Sequence, residues 1–246
     1  MPKRIMLLTG SPGVGKTTVL LRVVEGLKAK GYKVGGMASR EVRSRGTRVG
    51  FEVLDLSSGR RGWLAYVNQK SGPPVGKYRV NLADLDSVGA TAIVNAVDDS
   101  DIVAIDEIGP MELFSERFRE AVRRAVESRK PVISIVHWKA RDSLLDEVKG
   151  REDAETYVIT LENADFIAGC VINDIHRHAY KLLIKRGFGN LQKMSNCLGA
   201  VLAHPTVKSV NVNTHAFNVA DVAASAHDYA VILHRKKEGD EFPLHP

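Results

Sequence analysis

The chain has 246 residues, of which 44% are apolar, and it contains two cysteines. A chain of this length buries most of its unfolded surface without disulfides or a structural metal. Its apolar runs are all shorter than the roughly 20 residues that span a bilayer, and the apolar stretch near the N-terminus is too short for a signal peptide. We therefore expect a globular cytoplasmic protein with no membrane partner, and the secreted, fibrous and wholly disordered classes are excluded.

The net charge of +6 is unevenly distributed along the chain. Residues 1–79 carry 16 Lys and Arg against 4 Asp and Glu, whereas residues 80–164 carry 10 against 18. A basic segment favours an anionic partner, either nucleotide phosphates or nucleic acid, but it is equally typical of a solvated basic face. Charge alone does not decide between these interpretations.

A strand, a glycine-rich turn and a helix are predicted in that order at the start of the chain. Residues 3–8 predict a short buried strand, and the apolar positions within 16–30 recur at the spacing of one helical face. Gly31 follows where a helix commonly ends. A second strand is predicted at 33–39, and the alternating pattern and turn residues from 49 to 80 predict an inserted antiparallel meander.

Strands and helices then alternate as far as residue 165. Strands are predicted at 101–107, 131–136 and 156–160, and helices at 84–98, 114–129 and 142–149. This alternation predicts an α/β fold with a mostly parallel sheet flanked by helices. Because seven of the eight histidines lie beyond residue 170, we predict a boundary shortly before it, between a main α/β domain at 1–165 and a small C-terminal α/β extension of unknown role at 166–246.

The glycine-rich turn matches the pattern G-x-x-x-x-G-K-[ST] and is followed by a further threonine. Its residues are Gly10, Ser11, Pro12, Gly13, Val14, Gly15, Lys16, Thr17 and then Thr18. Glycines let backbone N–H groups curl around phosphates, and the following helix directs its positive end towards them. Lys16 is expected to reach the β- and γ-phosphates, and the Thr17 hydroxyl to ligate Mg²⁺. The sequence therefore predicts a phosphate-binding loop and a P-loop NTPase fold.

Two acidic residues end the predicted strand at 101–107. Asp106 is the expected partner of Mg²⁺, through water, and Glu107 is the candidate to orient or deprotonate an attacking water. Ile108 and Gly109, which follow directly, complete the predicted nucleotide-binding set. Glu112 is as well explained as an acid at a helix N-terminus as by a catalytic role.

Basic and aromatic residues outside the loop are further candidates for contacts with phosphates or a base. The segment 38–51 contains four arginines, of which Arg43 and Arg48 are candidate contacts, although a solvated basic loop is the favoured explanation of any single one. Trp138 is a candidate to stack on a base or simply to pack, and Arg141 is a candidate to contact the γ-phosphate. Both follow a predicted strand, and ligands of such sheets bind at the carboxyl ends of strands.

Four segments together resemble the thermophile-type nucleoside-triphosphatases, the family that includes the cancer-related nucleoside-triphosphatase of animals. They are GSPGVGKTT, the R-x-x-G-x-R-x-G-F run at 43–51, DEIGPMEL, and VHWKARDSL at 136–144. The resemblance covers about residues 3–165. It implies a small P-loop enzyme that hydrolyses ATP, GTP and other nucleoside triphosphates to the diphosphate, with Mg²⁺ and little base selectivity.

The favoured hypothesis is hydrolysis of a nucleoside triphosphate, with Lys16 and Glu107 as the catalytic residues and Thr17 and Asp106 as the metal site. A nucleoside or polynucleotide kinase would share the loop, but no arginine-rich helical lid over an acceptor is found. A nucleotide-gated module that binds nucleic acid through the basic first third is a third alternative. It is disfavoured because the predicted meander accounts for the aromatic residues in that region.

Overall fold

The structure, a computed structural model, describes residues 3–185, with side chains described as far as Ala179. The described residues belong to one compact unit. Most of the predicted C-terminal extension, residues 186–246, lies outside the described residues.

Nine strands are present within residues 3–185. They are β1 (Ile5–Thr9), β2 (Val34–Ser44), β3 (Thr47–Asp55), β4 (Arg61–Tyr66), β5 (Pro74–Val75), β6 (Tyr78–Val80), β7 (Ile102–Ile108), β8 (Val132–Val136) and β9 (Ala154–Val158). They form one sheet in the order β5-β6-β4-β3-β2-β7-β8-β1-β9. Neighbouring strands pair in parallel in the half formed by β2, β7, β8, β1 and β9. They pair antiparallel in the half formed by β5, β6, β4, β3 and β2.

The mixed sheet confirms the predicted α/β class and shows how the meander is built in. It is not an insertion beside the sheet but its antiparallel half, joined through β2. Residues 34–37 pair with β7, and residues 37–44 pair with β3. The strand predicted at 33–39 is thus too short. The arginine-rich segment at 38–51, for which a basic loop was considered, is part of the hairpin formed by β2 and β3. Charged side chains hide the apolar pattern there, whereas backbone pairing with β3 maintains the strand.

The helices connect and cover the strands. They are α1 (Lys16–Ala29), α2 (Leu82–Asp84), a π-helical segment (Leu85–Ala90), α3 (Thr91–Asp99), a 3₁₀ segment (Glu112–Phe114), α4 (Glu116–Glu127), α5 (Ser143–Lys149) and α6 (Ala164–Lys185). Gly31, just after α1, has φ +83°, the left-handed conformation typical of a residue that ends a helix. No helix within the described residues is long and apolar enough to cross a membrane.

Two apolar layers enclose the parallel half of the sheet. In β1, Ile5 and Leu7 belong to the layer beneath α3, α4 and α5, whereas Met6 and Leu8 belong to the layer beneath α1 and α6. Parallel strands with helices on both faces are buried on both sides, which explains their continuous apolar runs. Helix α6 packs into the second layer, so the predicted boundary at residue 165 falls in its first turn.

Hydrogen bonds join the carboxyl ends of the central strands. The Thr9 hydroxyl at the end of β1 donates to the Val136 carbonyl at the end of β8, at 3.0 Å. The His137 N–H then donates to the Ile108 carbonyl at the end of β7, at 3.1 Å. The segments that carry the predicted site residues therefore leave the sheet side by side.

Candidate active site

The glycine-rich loop connects β1 to α1, as predicted, and its glycines adopt conformations that other residues rarely take. Gly10, Gly13 and Gly15 have φ values of +152°, +84° and +89°. Gly10 also lies against the segment after β9, since a Cβ at this position would be 2.5 Å from the Ile159 carbonyl oxygen. The pattern of glycines in this loop therefore follows from backbone geometry and close approach.

The loop leaves donors available for an anion. Gly15 is the residue before α1 and provides no side-chain cap, and the first turn of α1 contains no acidic residue. The N–H groups of that turn therefore lack the usual side-chain acceptors. The Lys16 ammonium donates to the carbonyls of Gly10 and Ser11 at 3.0 and 3.2 Å, which holds it beside the loop. Ser11, Pro12, Gly13 and Thr18 are exposed, and Val14, Gly15, Lys16 and Thr17 are partly buried.

Asp106 lies at the end of β7 with 1% of its surface exposed. Burial raises the pKa of its carboxyl to about 7, opposed by hydrogen bonds from the Thr17 hydroxyl and the Ser39 backbone and by the charge of Lys16. Among the described residues, its buried Oδ2 atom has no hydrogen-bond partner. A buried carboxylate oxygen without a partner, beside a threonine hydroxyl, fits the oxygen ligands that Mg²⁺ prefers.

Glu107 follows Asp106 across a cis peptide bond and is partly buried. Its carboxylate lies near the backbone of Gly109, because a Cβ at Gly109 would be 2.7 Å from Glu107 Oε1. The Ile108 side chain is completely buried in the core, so only its backbone is available to the site. The acidic strand end therefore presents one buried carboxyl group beside Thr17 and Lys16 of the loop, and one partly buried carboxyl group beside Gly109.

Glu112 is the third carboxyl group of this region, and it is buried with 4% exposure. The N–H groups of Gly109 and of Glu112 itself donate to it. Burial, and then the negative charges of Glu107 and Asp106, raise its pKa to about 8. It begins the short 3₁₀ segment but belongs to the acidic cluster rather than to an exposed helix end.

The segment after β8 carries the predicted contacts Trp138 and Arg141. Trp138 is 42% exposed, and Arg141 is also exposed. The Nδ1 atom of His137 accepts the N–H groups of Lys139 and Ala140 at 3.2 and 2.9 Å, which shapes this turn. Both candidate side chains are therefore accessible on the segment that leaves the end of β8.

The predicted contacts Arg43 and Arg48 lie on the β2–β3 hairpin and are held by other groups. Both guanidinium groups pair with the Glu41 carboxylate. Arg43 also donates to the Gly46 carbonyl at 2.8 Å, and Arg48 lies over the Phe51 ring, 5.5 Å from its centroid. To contact a phosphate, either arginine would have to exchange these partners for it.

The sequence did not predict two contributors to the site, and it left a catalytic role for Glu112 open without predicting its burial. The only signal for the burial of Glu112 is its place between the apolar residues Met111 and Leu113. Ser39 acts through its backbone, for which a sequence carries no signal. Arg119 donates to the Leu113 carbonyl at 3.0 Å and pairs with Asp142, but its sequence context does not distinguish it from a surface arginine of a helix.

Known proteins share the part of the chain that contains this site. Nucleoside-triphosphatase THEP1 of Thermofilum pendens is 47% identical over 170 residues, which span 68% of this chain and 92% of that protein. THEP1 of Methanocaldococcus jannaschii is 40% identical over 170 residues, or 69% of this chain and 96% of that protein.

Two solved structures have a similar fold. The crystal structure of THEP1 from the hyperthermophile Aquifex aeolicus has a TM-score of 0.61 and 29% identity, covering 68% of this chain and 96% of that one. The solution structure of a human cancer-related nucleoside triphosphatase has a TM-score of 0.60 and 34% identity, covering 69% and 95%. The family model described as NTPase matches residues 5–172. The chain therefore belongs to the NTPase family.

Proposed function

We propose that this chain hydrolyses nucleoside triphosphates to nucleoside diphosphate and phosphate, with Mg²⁺ and little selectivity for the base. The observation that carries the proposal is the meeting of a phosphate-loop backbone with an acidic strand end. Lys16 and Thr17 lie close enough to Asp106 to oppose the rise in its pKa that burial causes, and Glu107 is the next residue along β7. The family relatives, which are named nucleoside-triphosphatases, support the same reaction class.

The loop and the start of α1 bind the triphosphate. The N–H groups of the first turn, left without side-chain acceptors, donate to phosphate oxygens, and the positive end of the helix favours their charge. The Lys16 ammonium exchanges its carbonyl partners in the loop for phosphate oxygens. These groups neutralise charge that accumulates on the phosphates during transfer.

Thr17 and Asp106 hold the divalent cation. A hydroxyl and a carboxylate oxygen, completed by water and phosphate oxygens, form the kind of site that Mg²⁺ takes in phosphoryl-transfer enzymes. When bound, Mg²⁺ would neutralise part of the negative charge on the phosphates. The unpartnered Oδ2 atom of Asp106 supports this assignment.

Glu107 acts as the general base. Its carboxylate takes a proton from a water molecule, whose oxygen bonds to the γ-phosphorus as the bond to the β–γ bridging oxygen breaks. The diphosphate leaves with the electrons of that bond. Glu107 suits this role better than Asp106 because it is only partly buried, whereas Asp106 is enclosed beside Thr17.

The test is phosphate release from ATP, GTP, CTP and UTP with Mg²⁺, comparing the wild-type chain with Glu107→Gln. The variant keeps the size and polarity of the side chain but cannot accept the proton. We expect nucleotide binding to persist while turnover falls by about 100-fold or more. Glu120→Gln, the same change at an exposed position of α4, is the matched control and should retain wild-type turnover.

Three results would contradict the proposal. Undiminished turnover in Glu107→Gln would exclude Glu107 as the base, and undiminished turnover after Mg²⁺ is removed by a chelator would exclude the metal. Transfer of labelled γ-phosphate to an added nucleoside or RNA end, without release to water, would indicate a kinase instead.

A further inference from the structure

Glu112 is a buried carboxyl group that the proposed hydrolysis does not use. Only 4% of the residue is exposed, and it lies in the same acidic cluster as Glu107 and Asp106. A buried ionisable group costs free energy unless its surroundings satisfy it. The arrangement around Glu112 therefore needs an explanation in terms of what it contacts.

Gly109 is the point where Glu107 and Glu112 come together. A Cβ on Gly109 would be 2.7 Å from Glu107 Oε1 and 3.1 Å from Glu112 Oε2. Both carboxyl groups thus lie against the same α-carbon, in space that the absent side chain leaves free. The backbone at Gly109 does not have a positive φ. Close approach, and not backbone conformation, is what favours glycine here.

Glu112 also lies near Glu107 in a form that does not repel it at neutral pH. Burial and the charges of Glu107 and Asp106 raise the pKa of Glu112 to about 8, so the group is mostly protonated at pH 7. A neutral carboxyl group keeps one O–H donor for a neighbouring carboxylate and accepts the Gly109 N–H with its other oxygen. It can therefore support the turn and the Glu107 side chain together.

The segment that carries Glu112 is anchored on both sides. The Leu113 N–H donates to the Gly109 carbonyl at 3.0 Å, and Arg119 Nε donates to the Leu113 carbonyl at 3.0 Å. Ser115 accepts the Phe118 N–H at 2.9 Å, which fixes the start of α4. These bonds hold Glu112 in place without any help from a nucleotide.

We propose that Glu112 is a positioning residue, which holds the Gly109 turn and the carboxylate of Glu107 in the orientation needed to activate water. This inference rests on the proposed role of Glu107 as the base. Glu112 is not a catalytic residue in this account, because it acts through Glu107 and does not touch the substrate.

The test compares two replacements of Glu112 in the full chain. Glu112→Gln keeps the size and the donor and acceptor pair of a protonated carboxyl group, and we expect kcat within about 3-fold of the wild type. Glu112→Leu fills the same space without a polar group, and we expect kcat to fall about 10- to 100-fold with KM nearly unchanged. A purely structural role would not give rescue by glutamine together with a loss confined to kcat.

A second variant probes the same contact without changing Glu112. Gly109→Ala places a methyl group where the Glu107 carboxylate now lies, so the carboxylate must shift, and we expect a similar fall in kcat. The double variant Glu107→Gln with Glu112→Leu should be no slower than Glu107→Gln alone, because both changes act through one group. Glu120→Gln again serves as the control with wild-type turnover.

The outcomes separate this inference from the proposed function. If wild type fails to release phosphate, or Glu107→Gln retains full turnover, the proposed function itself fails. If those two behave as expected but Glu112→Leu or Gly109→Ala keeps wild-type kcat, only the positioning role is overturned. A further loss in the double variant beyond Glu107→Gln would also overturn it.

Discussion

Three carboxyl groups near the end of β7 have different environments although they lie within seven residues of one another. Asp106 is buried, with its pKa raised to about 7, and Glu112 is buried, with its pKa raised to about 8. Glu107 lies between them in the chain and is only partly buried. Burial and nearby negative charge, and not residue type alone, therefore raise the pKa values of Asp106 and Glu112.

The raised pKa of Glu112 predicts how stability depends on pH. A folded-state pKa of about 8 lies above the ordinary value of 4.5, so the folded chain binds more protons than the unfolded chain between these two values. Its contribution to the free energy of unfolding therefore decreases as pH rises from about 5 to 8 and is constant above that range. Glu112→Gln lacks this contribution at every pH.

Urea unfolding of wild type and Glu112→Gln at pH 5 and pH 8.5, without nucleotide, measures the effect. Fluorescence of the two tryptophans, Trp63 and Trp138, reports unfolding of the described unit. The quantity to compare is the free energy of unfolding of the wild type minus that of the variant. We expect this difference to be smaller at pH 8.5 than at pH 5, by on the order of a few kcal/mol. Asp106 is common to both proteins, so its titration largely cancels. An unchanged difference would show that Glu112 titrates normally.

At the scale of elements, β2 joins the two halves of the sheet. Its first residues pair with β7 in the parallel half, and its later residues pair with β3 in the antiparallel half. Gly36 permits the approach to β7, because it has φ +115° and a Cβ there would be 2.0 Å from the Ala104 carbonyl oxygen. The Ser39 backbone, which donates to Asp106, lies three residues further along the same strand.

Gly36→Ala should therefore separate β2 from β7. The added methyl group meets backbone and cannot be accommodated by a side-chain movement, so we expect a loss of about 3 kcal/mol or more in the free energy of unfolding. Gly59→Ala is the matched control, since it has φ +73° but nothing within 4 Å of the added Cβ. The control should lose only about 1–2 kcal/mol from backbone strain. Equal losses in the two variants would contradict the close-approach explanation.

At the scale of the whole molecule, the Arg119–Asp142 pair ties the segments after β7 and β8 together. Arg119 Nη1 donates to Asp142 Oδ1 at 2.9 Å, and a second contact completes the pair. Arg119 also donates to the Leu113 carbonyl, and Asp142 accepts the Leu144 N–H at 2.8 Å at the start of α5. The side chains of Arg119 and Asp142 are only 17% and 18% exposed, so water screens the attraction between their charges less than at the surface.

Two substitutions at Asp142 separate its roles. Asp142→Asn keeps an acceptor for the Leu144 N–H but loses the charge, and we expect a loss of about 1 kcal/mol in the free energy of unfolding. Asp142→Ala loses both, and we expect about 2 kcal/mol or more. Asp98→Ala breaks the exposed pair with Arg124, where side-chain exposures are 52% and 50%, and should change stability by less than about 0.5 kcal/mol. If Asp98→Ala lowered the free energy of unfolding as much as Asp142→Ala, burial would not explain the strength of the Arg119–Asp142 pair.

Much of this architecture is encoded locally and could be predicted from the sequence. The order of β1, glycine-rich loop and α1 follows from an apolar run, a spacing of glycines and one helical face of apolar residues. The acids at the end of β7 follow from a buried strand that ends in Asp106 and Glu107. These features depend on neighbours in the chain, and periodicity and turn chemistry report such neighbours directly.

The tertiary structure alone decided the rest. That β2 continues into a hairpin depends on pairing with β3, and the pairing of Arg43 and Arg48 with Glu41 depends on the register of that hairpin. The burial of Glu112 depends on a turn that returns it to the side of Glu107. Local sequence patterns specify the individual elements and the chemistry at their ends. Strand register, burial and the partners of each charge were decided by contacts between segments far apart in the chain, because the free energy of a polar group is set by what surrounds it in space.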